Sequence, residues 1–97
     1  MKASEALRKG MGMVKGQNVC TFYCPELDTA CALGCMLLGH GVLKSEVNDF
    51  SLSDLPTYIR SGKDKYKEYY KTTIDLDNDL YGKSLAEIAQ RLEDIGE

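Results

Sequence analysis

A chain of 97 residues with a net charge of -3 is long enough to close one hydrophobic core, so a single domain over residues 1–97 is the starting point. Its 43% hydrophobic and 28% charged content, with only two prolines, argues against disorder, and its dispersed basic residues argue against a cationic surface for nucleic acid. The longest apolar stretch, Ala30 to Leu43, is interrupted by Gly34, Gly39, His40 and Gly41 and is too short to cross a bilayer, so no membrane association is expected.

From Ala3 to Val14 the apolar residues Ala3, Ala6, Leu7, Met11 and Val14 recur at helical spacing, with Lys2, Glu5, Arg8, Lys9 and Lys15 on the other side. This predicts an amphipathic first helix, weakened by Gly10 and Gly12 and stopped at Gly16. Charges mixed into that periodicity do not resemble an export signal, so a reducing, cytoplasmic location is the expectation. The segment Val19 to Cys24 is rich in β-branched and aromatic residues and closes in the turn chemistry of Pro25 and Asp28, so one short strand, half of a hairpin, is predicted there. Asp28 or Thr29 then caps a buried helix carrying Ala30, Leu33, Leu37 and Leu38, which frays at Gly39-His40-Gly41.

Between residues 42 and 62, Leu52, Leu55, Tyr58 and Ile59 offer one helical face with Pro56 near its first turn. From Lys63 to Lys71, lysines interleave with Tyr66, Tyr69 and Tyr70, a pattern able to stack bases but diluted by Asp64 and Glu68, and read as a solvated face. The clearest local signal is Ser84-Leu85-Ala86-Glu87, a capping box ahead of Leu85, Ile88, Ala89, Leu92 and Ile95, which predicts a helix over 84–95 ended by Gly96. Together these elements predict a mainly α fold with a short β-strand or hairpin, a small α+β domain.

The four cysteines follow the pattern Cys20-x3-Cys24-x6-Cys31-x3-Cys35. Cys31 and Cys35 lie one helical turn apart, and Cys20 and Cys24 would share a strand face, so four sulfurs could converge on one zinc ion. The spacing is not that of a standard zinc site, and all four lie in the most apolar third of the chain, where small buried side chains are the simpler reading. A cap at Asp28 or Thr29 would put the Cys31 thiol in the first helical turn, where the helix dipole favours thiolate. A nucleophile needs a base, and the single histidine, His40, sits nine residues on; a Cys31, His40, Asn78 triad can be written but is not preferred. The acidic run Asp75-Leu76-Asp77-Asn78-Asp79 opens like a calcium loop, yet Leu80 and Ala86 stand where glycine and glutamate are needed. Asn78 and Asp79 are read instead as an Asx-type turn leading through Gly82 to the last helix.

Three segments in order, Cys31-Ala32-Leu33-Gly34, Asn78-Asp79 and Gly82-Lys83-Ser84-Leu85-Ala86-Glu87-Ile88, follow an N-terminal amphipathic helix. In this the chain resembles a family of small bacteriophage and actinobacterial proteins of unknown function, departing from its pattern at Asp77, where an apolar or aromatic residue is usual. The resemblance implies a compact, mostly helical fold and a phage or mobile-element origin, implies no activity, and nominates Cys31, Asn78 and Asp79 as site residues. With the neighbouring Tyr81 they form the candidate binding set.

No phosphate loop, histidine–carboxylate cluster or nucleophile with a base is evident, whereas six tyrosines are of the type enriched at interfaces. The preferred reading is a non-catalytic accessory protein that binds another protein, a host factor if the chain is phage-encoded, without a cofactor. A homodimer is a further expectation. The alternatives are a zinc module on Cys20, Cys24, Cys31 and Cys35, and an enzyme using Cys31.

Overall fold

A computed structural model of the chain describes residues 2–19, 21–50, 74–94 and 96. The helical face expected from Leu52, Leu55, Tyr58 and Ile59 and the lysine- and tyrosine-rich run to Lys71 lie outside these residues.

Helix α1 spans Ala3–Met11, with Glu5 in its first turn and Arg8 and Lys9 in its last, each complementing the helix dipole. It buries Ala3, Ala6 and Leu7, and Met11 and Val14 pack against the core from beyond. The helix stops at Gly12 rather than Gly16. The reason is tertiary: Gly16–Gln17 is strand β1, and it must leave the helix to pair.

Two further strands of two residues follow, β2 (Tyr23–Cys24) and β3 (Thr29–Ala30). The order is β1-β3-β2, with β3 parallel to β1 and antiparallel to β2. The expected strand of the Val19 to Cys24 segment is present, shortened, and is indeed one arm of a hairpin. Thr29 and Ala30, expected at a helix start, form its other arm.

Helix α2 (Ala32–Gly39) is buried along its entire length. Its sequence contains no charged residue and is apolar all round, which suits only the centre of a domain. Helix α1 crosses it antiparallel through two glycines. A Cβ at Gly10 would overlap the Cys35 carbonyl and one at Gly39 would overlap the Ala6 carbonyl, so the helices meet backbone to backbone. The glycines that weaken α1 as an isolated helix are what let it dock.

A 3₁₀ turn at Val47–Asp49 buries Val47. Helix α3 (Ile74–Asp79) and helix α4 (Leu85–Asp94) complete the described fold. Ile74, Leu85, Ile88, Ala89 and Leu92 close the core with Leu7, Leu33, Met36, Leu37 and Leu38. The result is a small α+β domain of helices packed around α2 with a three-stranded sheet at one end. Among the described residues no helix is long and apolar enough to cross a membrane.

Candidate functional site at the start of the central helix

The acidic run forms α3 instead of the expected turn, and its last residues reach the start of α2. Asn78 is only 2% exposed. Its Oδ1 accepts from the Ala32 amide at 3.0 Å and from Gln17 Nε2 at 2.7 Å, while its Nδ2 donates to the Asn18 carbonyl at 2.9 Å and to Asp79 Oδ1 at 2.6 Å. A neutral amide has two donors and two acceptor sites, and all four are used. A backbone amide on one side and a backbone carbonyl on the other also fix which end of the side chain is oxygen. Gln17 Nε2 donates as well to the Lys83 carbonyl at 2.9 Å. One side chain therefore ties together β1, the start of α2, the end of α3 and, through Gln17, the entry to α4.

Cys31, not Asp28 or Thr29, caps α2. Its backbone is extended and its Sγ accepts from the Gly34 amide at 3.4 Å. The thiol is outside the first turn rather than within it, and the residue is 4% exposed. A Cβ at Gly34 would overlap the Phe22 carbonyl, so the first turn of α2 is pressed onto the chain leading into β2. Asn18 completes the group: its Nδ2 donates to Thr29 Oγ1 at 3.1 Å, and its Oδ1 is buried with no hydrogen-bond partner among the described residues.

The structure thus brings Cys31 and Asn78 to one end of α2. His40 is the C-cap at the other end, nine residues away, or about 13 Å along the axis at about 1.5 Å per residue. The three do not form a triad. Asp79 is exposed beside Asn78, and Tyr81 stands 64% exposed beside Leu80 at 68%.

Of the four cysteines, Cys20 lies outside the described residues. Cys24 is half-buried on β2 with its thiol 3.3 Å from Glu26 Oε2. Cys35 is fully buried behind Cys31, and burial, reinforced by Cys31, pushes its thiol up to about 12. Among the described residues no three His, Cys, Asp or Glu side chains are grouped to hold a metal ion.

A second cluster escaped the sequence reading. Tyr23 donates its hydroxyl to Asp28 Oδ1 at 2.7 Å, Lys44 reaches the same oxygen at 2.9 Å, and the Lys44 ammonium lies 5.6 Å from the centre of the Tyr23 ring. Asn48 grips the Tyr23 backbone on both sides, accepting from its N–H at 3.1 Å and donating to its carbonyl at 2.8 Å. The Tyr23 hydrogen bond, followed by that of Lys44, holds the Asp28 carboxyl below the ordinary carboxylate range. Asp28 turns the β2–β3 hairpin in the left-handed region, at φ 52°, a conformation that aspartate tolerates better than most residues. Its turn chemistry was the only sequence signal for this cluster, while Gln17 and Asn18 gave none beyond a polar pair after a glycine.

Compared with known proteins, the chain matches no family model, no curated protein and no solved structure.

Proposed function

We propose that this is a small non-catalytic accessory protein that binds another protein through the exposed loop between α3 and α4, with Leu80 and Tyr81 as the anchoring side chains. The observation that carries the reading is their exposure, 68% and 64%, on a loop whose base is pinned by the Asn78 clasp. A rigidly mounted tyrosine and leucine supply contact area at little ordering cost, and aromatic residues are enriched where proteins bind. The residues that could have suggested catalysis are engaged elsewhere: the Cys31 thiol caps a helix, and the Asn78 amide has no remaining hydrogen-bonding capacity. The resemblance to small phage and actinobacterial proteins makes a host factor the expected partner and the cytoplasm the expected place.

The test compares the wild-type protein with a Leu80→Asp, Tyr81→Ala double variant as baits in host lysate, after circular dichroism shows both folded. A protein retained stoichiometrically by the first and lost with the second supports the reading. Equal retention by both, or none by either, rejects it. Native and denaturing mass on the same preparation tests the zinc alternative: excess mass near one zinc, lost on denaturation, would move the function to the cysteines.

A further inference from the structure

The clasp that mounts Leu80 and Tyr81 also reaches a third apolar residue. Asn78 Nδ2 donates to the Asn18 carbonyl at 2.9 Å, which brings the backbone at Asn18 and Val19 beside the end of α3, two residues ahead of Leu80. Val19 is 54% exposed, although valine is among the residues most often buried. The far side of the loop is held by the same segment: Gly82 turns the chain at φ 64°, and Gln17 Nε2 grips the Lys83 carbonyl at 2.9 Å. Val19, Leu80 and Tyr81 thus stand on two segments tied together at both ends of the loop.

Charge decides what such a surface accepts. Helix α3, which leads into the loop, has aspartate at 75, 77 and 79 and no cation, and Asp79 is exposed at its end. The first cation after the loop, Lys83, is offset by Glu87 four residues on. An acidic field beside exposed apolar side chains repels phosphate, and with it nucleic acid and anionic lipid, and draws cations. The net charge of -3 over the whole chain has the same sign.

We propose that Val19, Leu80 and Tyr81 form one docking surface for a cationic amphipathic segment of another protein, whose apolar residues rest on these side chains and whose lysines or arginines face α3. The proposal rests on the reading of Leu80 and Tyr81 as anchors; it adds Val19 to them and fixes the sign of the partner's charge. Buried anchors carry most of the affinity of an interface, whereas rim charges steer encounter and orientation. The two contributions therefore separate in salt: removing an anchor weakens binding at any ionic strength, and removing an aspartate matters only where charge is unscreened.

Random peptides displayed on yeast and selected on the immobilised full chain supply the probe, and the enriched sequences are synthesised and titrated by fluorescence anisotropy. Enriched peptides are expected to join apolar residues to lysine or arginine. Val19→Asp should weaken them about tenfold or more. The double variant D75N/D77N should weaken them about three- to tenfold, a difference that closes at about 0.5 M salt. Asp79 is left in place because its carboxylate meets Asn78 Nδ2, and unchanged exchange of the Ala32 amide in D75N/D77N verifies that the clasp is intact. Peptides without net positive charge, or peptides that bind Val19→Asp as they bind the wild type, overturn the proposal while leaving Leu80 and Tyr81 as anchors. Peptides indifferent to the Leu80→Asp, Tyr81→Ala double variant, or no enrichment at all, overturn both.

Discussion

The starts of α2 and α4 solve the same problem by opposite means. Both must satisfy first-turn amides that have no partner within the helix. At α4 the partners are local: the Glu87 amide donates to Ser84 Oγ at 3.1 Å, and the Glu87 carboxylate accepts from the Ser84 amide at 3.1 Å, a complete capping box in four residues. At α2 the Gly34 amide is met by the weak acceptor Cys31 Sγ, and the Ala32 amide by Asn78, 46 residues downstream. The exposed start is secured by neighbours in sequence, and the buried start by a side chain that arrives only when the fold is complete. The second arrangement makes the start of α2 a readout of tertiary structure.

Substitutions that separate the two starts should rank accordingly. The largest effect is expected from Gly34→Ala, whose methyl group has no room against the Phe22 carbonyl; a loss of about 3 kcal/mol in denaturant unfolding is anticipated. Asn78→Ala leaves the buried Ala32 amide and the part-buried Asn18 carbonyl without their partner and should cost ~2–3 kcal/mol, with hydrogen exchange accelerating at both the start of α2 and β1. Equal protection in variant and wild type would show that the clasp holds nothing.

Ser84→Ala removes a local cap and should cost about 1 kcal/mol, with faster exchange confined to α4. The capping box also predicts a pH dependence. Its hydrogen bonds with Ser84, backbone first, lower the Glu87 pKa below its ordinary 4.5, so its contribution is present above that value and fades as pH falls through the lowered one. Acidification should therefore loosen the start of α4 in the wild type and change it less in Ser84→Ala, as read by amide chemical shifts. The smallest effect belongs to Cys31→Ser, which exchanges one side-chain acceptor for a better one at the cap and should alter stability by less than about 0.5 kcal/mol. A large loss there would mean that the thiol does more than cap.

The same contrast explains what could be read from the sequence. Ser84-Leu85-Ala86-Glu87 is a four-residue signal and led directly to α4. The start of α2 was displaced by three residues at most, because Asp28 and Thr29 are better caps by chemistry than Cys31, and only the sheet explains why they are not used: Thr29 pairs with Gly16 and Cys24, while Asp28 turns the hairpin. Strands of two residues carry no periodicity to detect. The run at Asp75 to Asp79 has poor helix propensity and good turn chemistry, so the sequence predicts a turn where α3 forms. Of the candidate site, Cys31 is legible as a helix start, three residues from the amide it caps, whereas the part Asn78 plays is not legible, because the bonds that define it join residues 46 to 61 positions apart. Gln17 and Asn18 become part of the site only through those bonds.

The glycines at the α1–α2 crossing, and Gly34 at the start of α2, have a different kind of consequence. Core leucines can exchange with isoleucine or methionine at modest cost, so their identities drift readily between related chains. Gly10, Gly34 and Gly39 face carbonyl groups of the backbone, and no side chain is small enough to replace them without moving that backbone. A glycine near the end of the first helix, followed by Gly-x4-Gly in an uncharged helix, is accordingly the signature by which distant relatives of this fold should be sought.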